Sequence, residues 1–118
     1  MTELFYIVGR VLFGGFFVMM GMSHFIKMNM IVNLAQSKGV PQARMGVIVS
    51  GILFLFGGIG VIFSVHVELA VFALVAALLP VSFLMHRFWT LTDPGRKMTE
   101  MLSFLRNLAF IGAALMIL

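Results

Sequence analysis

The chain has no cysteine and few charged residues, and both absences narrow its function. Without cysteine in its 118 residues, it has no disulfide, no thiolate nucleophile and no thiolate ligand for an iron–sulfur cluster. Any redox chemistry therefore requires a bound cofactor or a partner protein. Charged residues make up only 10% of the sequence, whereas soluble domains contain roughly a quarter.

Acidic residues are especially scarce, with four Asp and Glu against eight Lys and Arg. A small proton-coupled exporter needs a carboxylate inside the membrane, and the first apolar segment has none beyond Glu3, which disfavours that class. The formal net charge of +4 does not indicate nucleic-acid binding, because the basic residues lie between apolar runs and form no separate patch. A single-chain enzyme is also disfavoured, and we predict no catalytic residue and no metal site.

What the sequence does contain is apolar residues, at 62% of the chain with a mean hydropathy of +1.14. Four apolar segments approach the ~20 residues that a helix needs to cross the hydrocarbon core. We place them at about residues 4–27, 45–64, 66–86 and 100–118. The sequence therefore predicts an all-α integral membrane protein, with one domain over residues 1–118 that forms an antiparallel four-helix bundle.

The loops add a short helix and an orientation. Residues 29–37 could form an interfacial helix that Gly39-Val40-Pro41 ends, and Asp93-Pro94-Gly95 predicts a turn in the third loop. Lys and Arg occur in the first and third loops but not in the second loop or at the termini. By the positive-inside rule, both termini lie outside the cell and the first and third loops are cytoplasmic.

Most polar residues inside the spans recur at steps of three and four, which predicts one polar stripe per helix. The first helix carries Arg10, Gly14, Phe17, Gly21 and His24 at this spacing, and the second carries Gly46, Ser50, Leu53, Gly57, Gly60 and Ser64. The third carries Glu68, Phe72, Val75, Leu79, Ser82 and His86, and the fourth carries Ser103, Arg106, Phe110 and Ala113. The depths of the spans predict an ion pair near the outer face and a polar box in the inner leaflet. The ion pair is Arg10 with Glu68, and the box comprises His24, Ser50, Ser82, His86, Ser103, Arg106 and Asn107.

The predicted box has several interpretations. Arg106 has no carboxylate within the predicted bundle, so its charge requires backbone carbonyls, a route to the headgroups, a lipid phosphate or a ligand acceptor. In a purely structural interpretation Asn107 bridges helices, and the histidines bond to serines or to the backbone. Alternatively, His24 and His86 on facing helices are what a bis-imidazole haem b requires.

An ordered set of short motifs resembles the DoxX family of small four-helix membrane proteins. The set comprises Gly9-Arg10, Gly21-x-x-His24-Phe25, Lys38-Gly39-Val40-Pro41, Gly57-Gly58, Met85-His86-x-Phe88-Trp89 and Phe104-Leu105-x-Asn107-Leu108-Ala109-x-x-Gly112. The chain departs from many relatives at His24, where they carry lysine, and near Leu53, where they carry an acidic residue.

The resemblance implies a prokaryotic cell-membrane protein associated with respiratory or sulfur-compound redox complexes. The first hypothesis is a quinone- or lipid-headgroup-binding subunit, in which His24, His86, Arg106 and Asn107 donate hydrogen bonds to carbonyl or phosphate oxygens. The bound group would then be a quinone or a phospholipid. The second hypothesis is a non-catalytic accessory or assembly subunit that packs against other subunits of a larger membrane complex. The sequence alone does not separate the two hypotheses.

Overall fold

The computed structural model describes residues 2–118, which are almost entirely helical and contain no strand. The helices are α1 (Thr2–Ile26), α2 (Met28–Ser37), α3 (Ala43–Phe63), α4 (Val67–Met85) and α5 (Pro94–Ile117), with a short 3₁₀ turn at Phe88–Thr90. Four of them, α1, α3, α4 and α5, are long and apolar enough to cross a membrane. The all-α prediction is confirmed, and these four helices suit a multi-pass membrane protein.

Two loop predictions have different outcomes. The short helix α2 is present, and Gly39 follows it with a φ of 79°, a left-handed conformation that favours glycine. The predicted turn at Asp93-Pro94-Gly95 is wrong, because Asp93 lies at the N-cap position of α5 and Pro94 is its first residue. Proline suits that position, since its missing N–H would have no helical partner there.

Helices α1 and α3 approach closely through glycines. A Cβ atom on Gly14 would lie 2.6 Å from the carbonyl oxygen of Gly58, and one on Gly21 would lie 2.8 Å from that of Gly51. Sequence numbers thus rise along α1 as they fall along α3, so the two helices run in opposite directions. Backbone contact of this kind is typical of helix pairs in membranes, where small residues allow tight packing.

The other face of α3 packs against α4, and α5 packs against α4. The main core cluster joins Phe17 of α1, Phe54 and Val61 of α3, and Leu74 of α4. The ring of Phe110 on α5 lies 5.6 Å from that of Phe17. A second cluster, centred on Val32, Ala35, Ala43 and Val47, packs α2 against the first turns of α3. We refer to this part of the molecule as the α2 end.

The predicted polar stripes match α1 best. Its buried residues are Gly14, Phe17, Gly21 and His24, all of which belong to the predicted stripe. On α4 the stripe is mostly wrong, because Phe72 and Leu79 are exposed and Ser82 is its only buried member. On α5 it is rotated by about one residue, so that Asn107 and Ala114 are buried.

Candidate functional site

A cavity of about 350 Å³ lies among α1, α2, α3 and α4 near the α2 end. Most of its lining is aliphatic, from residues such as Ile31, Val47 and Leu53. His24, Ser50 and His86 are the polar side chains that line it. A largely apolar cavity with a few polar groups is what binding sites for small organic ligands have, although this volume lies near the lower limit of their usual range.

The cavity reaches the outer surface of the molecule between α3 and α4. Among its lining residues, Val49 on α3 and Ala76, Pro80 and Leu84 on α4 are exposed. These residues lie on helices that are apolar enough to cross a membrane. A ligand dissolved in the bilayer could therefore enter sideways, without passing through water.

His24 comes to the cavity from the buried stripe of α1, where it is only 8% exposed. Its Nδ1 atom lies 2.7 Å from the carbonyl oxygen of Met20, one turn earlier. Its ring packs edge-on against Phe54, with the centroids 5.3 Å apart. These contacts fix the ring and leave Nε2 as the nitrogen that a ligand can reach.

The two buried serines bond to their own helices. The Ser50 hydroxyl lies 2.8 Å from the carbonyl oxygen of Gly46 and 3.2 Å from that of Val47. Ser82 is fully buried, and its hydroxyl donates to the carbonyl oxygen of Leu78 at 2.7 Å. Ser82 is not among the residues that line the cavity, so only Ser50 is available to a ligand there.

Pro80 interrupts the backbone hydrogen bonds of α4 beside the cavity. Proline has no N–H, so the carbonyl of Ala76, four residues earlier, lacks its usual helical donor. Both Ala76 and Pro80 line the cavity. Sequence reasoning missed this feature, although a proline within an apolar segment is a readable signal.

A charged cluster lies beside the cavity at the α2 end. The Glu100 carboxylate accepts from Lys38 Nζ at 2.9 Å and lies 3.0 Å from His86 Nδ1. Lys38 also donates to the carbonyl oxygen of Met85 at 2.8 Å, and Arg87 donates to the carbonyl oxygen of Lys38. This cluster ties the C-terminal end of α2 to the end of α4 and to the second turn of α5.

The sequence prediction did not include Lys38 or Glu100 in the box. Glu100 is the only carboxylate within α5, and a lone carboxylate close to loops rich in Lys and Arg is a signal of pairing that the prediction did not use. The sequence does not indicate which cation pairs with Glu100, because Lys38 lies 62 residues away along the chain.

The remaining members of the predicted box lie apart from the cavity. Asn107 is buried on α5, Ser103 is half-buried, and Arg106 is exposed. None of the three is among the lining residues. The expectation that Arg106 faces the interior of the helix bundle is wrong, because its side chain is exposed. Because burying an unpaired guanidinium is costly, the helix instead buries the neutral amide of Asn107 and leaves the Arg106 charge outside.

The predicted ion pair between Arg10 and Glu68 is also absent. Among residues 2–118 the ion pairs are those that Glu100 makes with Lys38 and His86. The Arg10 guanidinium carbon lies 5.1 Å from the ring centroid of Tyr6, while its buried Nε has no hydrogen-bond partner. Helices α1 and α4 each pack mainly on α3, which keeps the two charges apart.

Comparisons with protein families, with curated proteins and with solved structures find no match to this chain.

Proposed function

We propose that this protein is a DoxX-like multi-pass membrane protein that binds an apolar ring-bearing ligand, of the quinone type, as a subunit of a membrane redox complex. The observation that supports the proposal is the cavity, because its lining is apolar, its polar side chains are few and it opens between two apolar helices. A molecule that lives in the bilayer and has a small polar ring matches each of these properties.

The proposal also covers the helix bundle and its orientation in the membrane. The close approach of α1 to α3 and the opposite directions of these helices support an antiparallel four-helix bundle. The longest dimension of 47 Å suits a bilayer of about 40–45 Å including headgroups. In the proposed orientation the α2 end, with Lys38, Arg44 and Arg87, lies at the cytoplasmic face.

A phospholipid headgroup does not suit the cavity itself. A phosphate carries charge, and its transfer into an aliphatic lining costs far more than the transfer of a neutral ring. Lys38 already bonds to Glu100 and to a backbone carbonyl, so it is not free to neutralise that charge. Arg106 is exposed and can contact lipid phosphates at the outer surface. We therefore assign the ring to the cavity and the phospholipid to the surface around α5.

The experiment that tests this proposal is extraction of the bound lipid-soluble compounds. Protein purified in native-lipid discs should yield quinone in stoichiometric amount after solvent extraction. A substitution that fills the cavity, Ala76→Phe, should reduce that yield severalfold, whereas Ala109→Phe on the exposed face of α5 should not. An extract of the unsubstituted protein without quinone would reject the proposal. Co-purification with a larger assembly but without quinone would instead favour the accessory-subunit hypothesis.

Haem b is a second candidate because both histidines line the same cavity. His24 is held through Nδ1 by a backbone carbonyl and His86 through Nδ1 by a carboxylate, which leaves both Nε2 atoms available. Histidines that ligate metals are commonly held in this way. A Soret band that His24→Ala or His86→Ala abolishes would support haem, and a colourless preparation would reject it.

A further inference from the structure

The polar hydrogens of His24 and Ser50, which line the cavity, already bond to backbone carbonyls. A carbonyl oxygen can only accept a hydrogen bond, so the 2.7 Å contact between His24 and Met20 requires the hydrogen to be on Nδ1. Neutral His24 therefore presents Nε2 as an acceptor. Nε2 has no partner among residues 2–118, and it is not among their fully enclosed polar atoms.

Ser50 and the α4 backbone follow the same pattern. Ser50 has one hydroxyl hydrogen, which the carbonyls of Gly46 and Val47 share, so only its oxygen lone pairs remain for a ligand. The carbonyl of Ala76 lacks a donor because of Pro80. The cavity thus has two side-chain acceptors, on α1 and α3, and beside them Ala76 of α4, a lining residue whose carbonyl lacks the N–H donor four residues later.

His86 differs from His24 because its Nδ1 contacts a carboxylate and not a backbone carbonyl. Its Nδ1 donates to the Glu100 carboxylate at 3.0 Å, so its Nε2 accepts in the neutral ring and donates in the protonated ring. Lys38, which shares the carboxylate, and Arg87 are the other charged groups in this cluster. In the neutral ring, Nε2 of His86 is therefore a further acceptor at the edge of the cavity.

We propose that the cavity selects ligands whose head donates hydrogen bonds, and that it therefore binds a hydroquinone rather than the corresponding quinone. This inference rests on the proposed function, because it concerns the chemical state of the same ligand. A quinone ring carries two acceptors, which would face the cavity acceptors without a hydrogen between them. A hydroquinone carries two hydroxyl donors of the same size and position. Two added hydrogen bonds correspond to about tenfold or more in affinity.

The test compares three short-chain ligands on the full-length protein in lipid discs under anaerobic conditions. The ligands are decylubiquinone, decylubiquinol and the dimethyl ether of decylubiquinol, which keeps the aromatic ring but has no hydroxyl donor. Calorimetric titration should give a Kd for the quinol at least about tenfold lower than for the other two. Equal or tighter binding of the quinone would overturn the inference but leave the cavity proposal in place. Absence of binding by all three would instead reject the proposed function.

Substitutions then identify the acceptors. His24→Phe keeps a ring against Phe54 but removes Nε2, so it should weaken quinol binding about fivefold and leave binding of the dimethyl ether unchanged. Ser50→Ala provides the same test at a site where no ring is disturbed. Ser103→Ala, outside the cavity, is the matched control and should change neither affinity. If His24→Phe and Ser50→Ala weaken the quinol and its ether equally, the acceptor role is wrong and these residues only shape the cavity.

Discussion

Substitution of Gly58 by alanine should separate α1 from α3. The added Cβ would lie 2.6 Å from the carbonyl oxygen of Gly14 and 2.9 Å from the backbone nitrogen of Val18. Because ordinary contacts to carbon lie near 3.5–4.0 Å, α1 must move by about 1 Å along this contact. Both opposing atoms belong to the backbone, so a change of rotamer cannot relieve the clash. Overpacking of this kind destabilises proteins by about 1–3 kcal/mol.

Gly112→Ala on α5 is the matched control, because a Cβ there would meet nothing within 4 Å. It should leave the stability unchanged or raise it by up to about 1 kcal/mol, the helix propensity gained on replacing glycine. The measurement is unfolding in mixed micelles with increasing dodecyl sulfate, followed by far-ultraviolet circular dichroism. If Gly58→Ala is as stable as Gly112→Ala, the close contact of α1 and α3 is not as described.

Three further predictions concern the α2 end and the orientation. Lys38→Met and Glu100→Gln should each destabilise the protein by roughly 1 kcal/mol. The double variant should be destabilised by less than the sum of the two, because the two groups form one ion pair. Additive effects in unfolding experiments would count against the pair. Pro80→Ala should stabilise the protein by up to ~3 kcal/mol, since it restores a backbone N–H within α4. The same substitution should weaken quinol binding, because the restored N–H bonds to the carbonyl of Ala76. A gain in stability without weaker binding would show that this carbonyl does not contact the ligand. Because the chain lacks cysteine, Ser37→Cys and Val65→Cys can be labelled individually in intact cells, and only Val65→Cys should react with an impermeant maleimide.

The success of the stripe prediction depended on how polar each helix is. On α1, glycines and His24 interrupt an apolar sequence, and burial follows their spacing. On α4 nearly every residue between Val67 and Met85 is apolar, so the sequence does not mark the face that packs against α3. In a membrane lipid is as apolar as the protein interior, and hydrophobicity alone cannot distinguish the two faces.

Charged residues were harder to place than apolar ones for a different reason. The sequence predicts a pair between Arg10 and Glu68 because their depths match, but depth does not determine which helices are neighbours. Lys38 and Glu100 form an ion pair, because the chain after α2 passes beside α5. The sequence does not reveal that path. The neutral Asn107, and not Arg106, lies at the buried position of α5. The helix is rotated by one residue relative to the prediction, which avoids the cost of burying a charge.

The position of the cavity follows from unequal packing along α3 and α4. Toward their connecting loop the two helices are in tight contact, where a Cβ on Gly60 would lie 2.6 Å from that of Ala70. Toward the α2 end the cavity lies between them, where Pro80 removes a backbone hydrogen bond. There Lys38 and Glu100 link α2, α4 and α5 by side-chain contacts in place of tight helix packing. A ligand can therefore occupy the gap without separating the glycine contacts that hold the other end together.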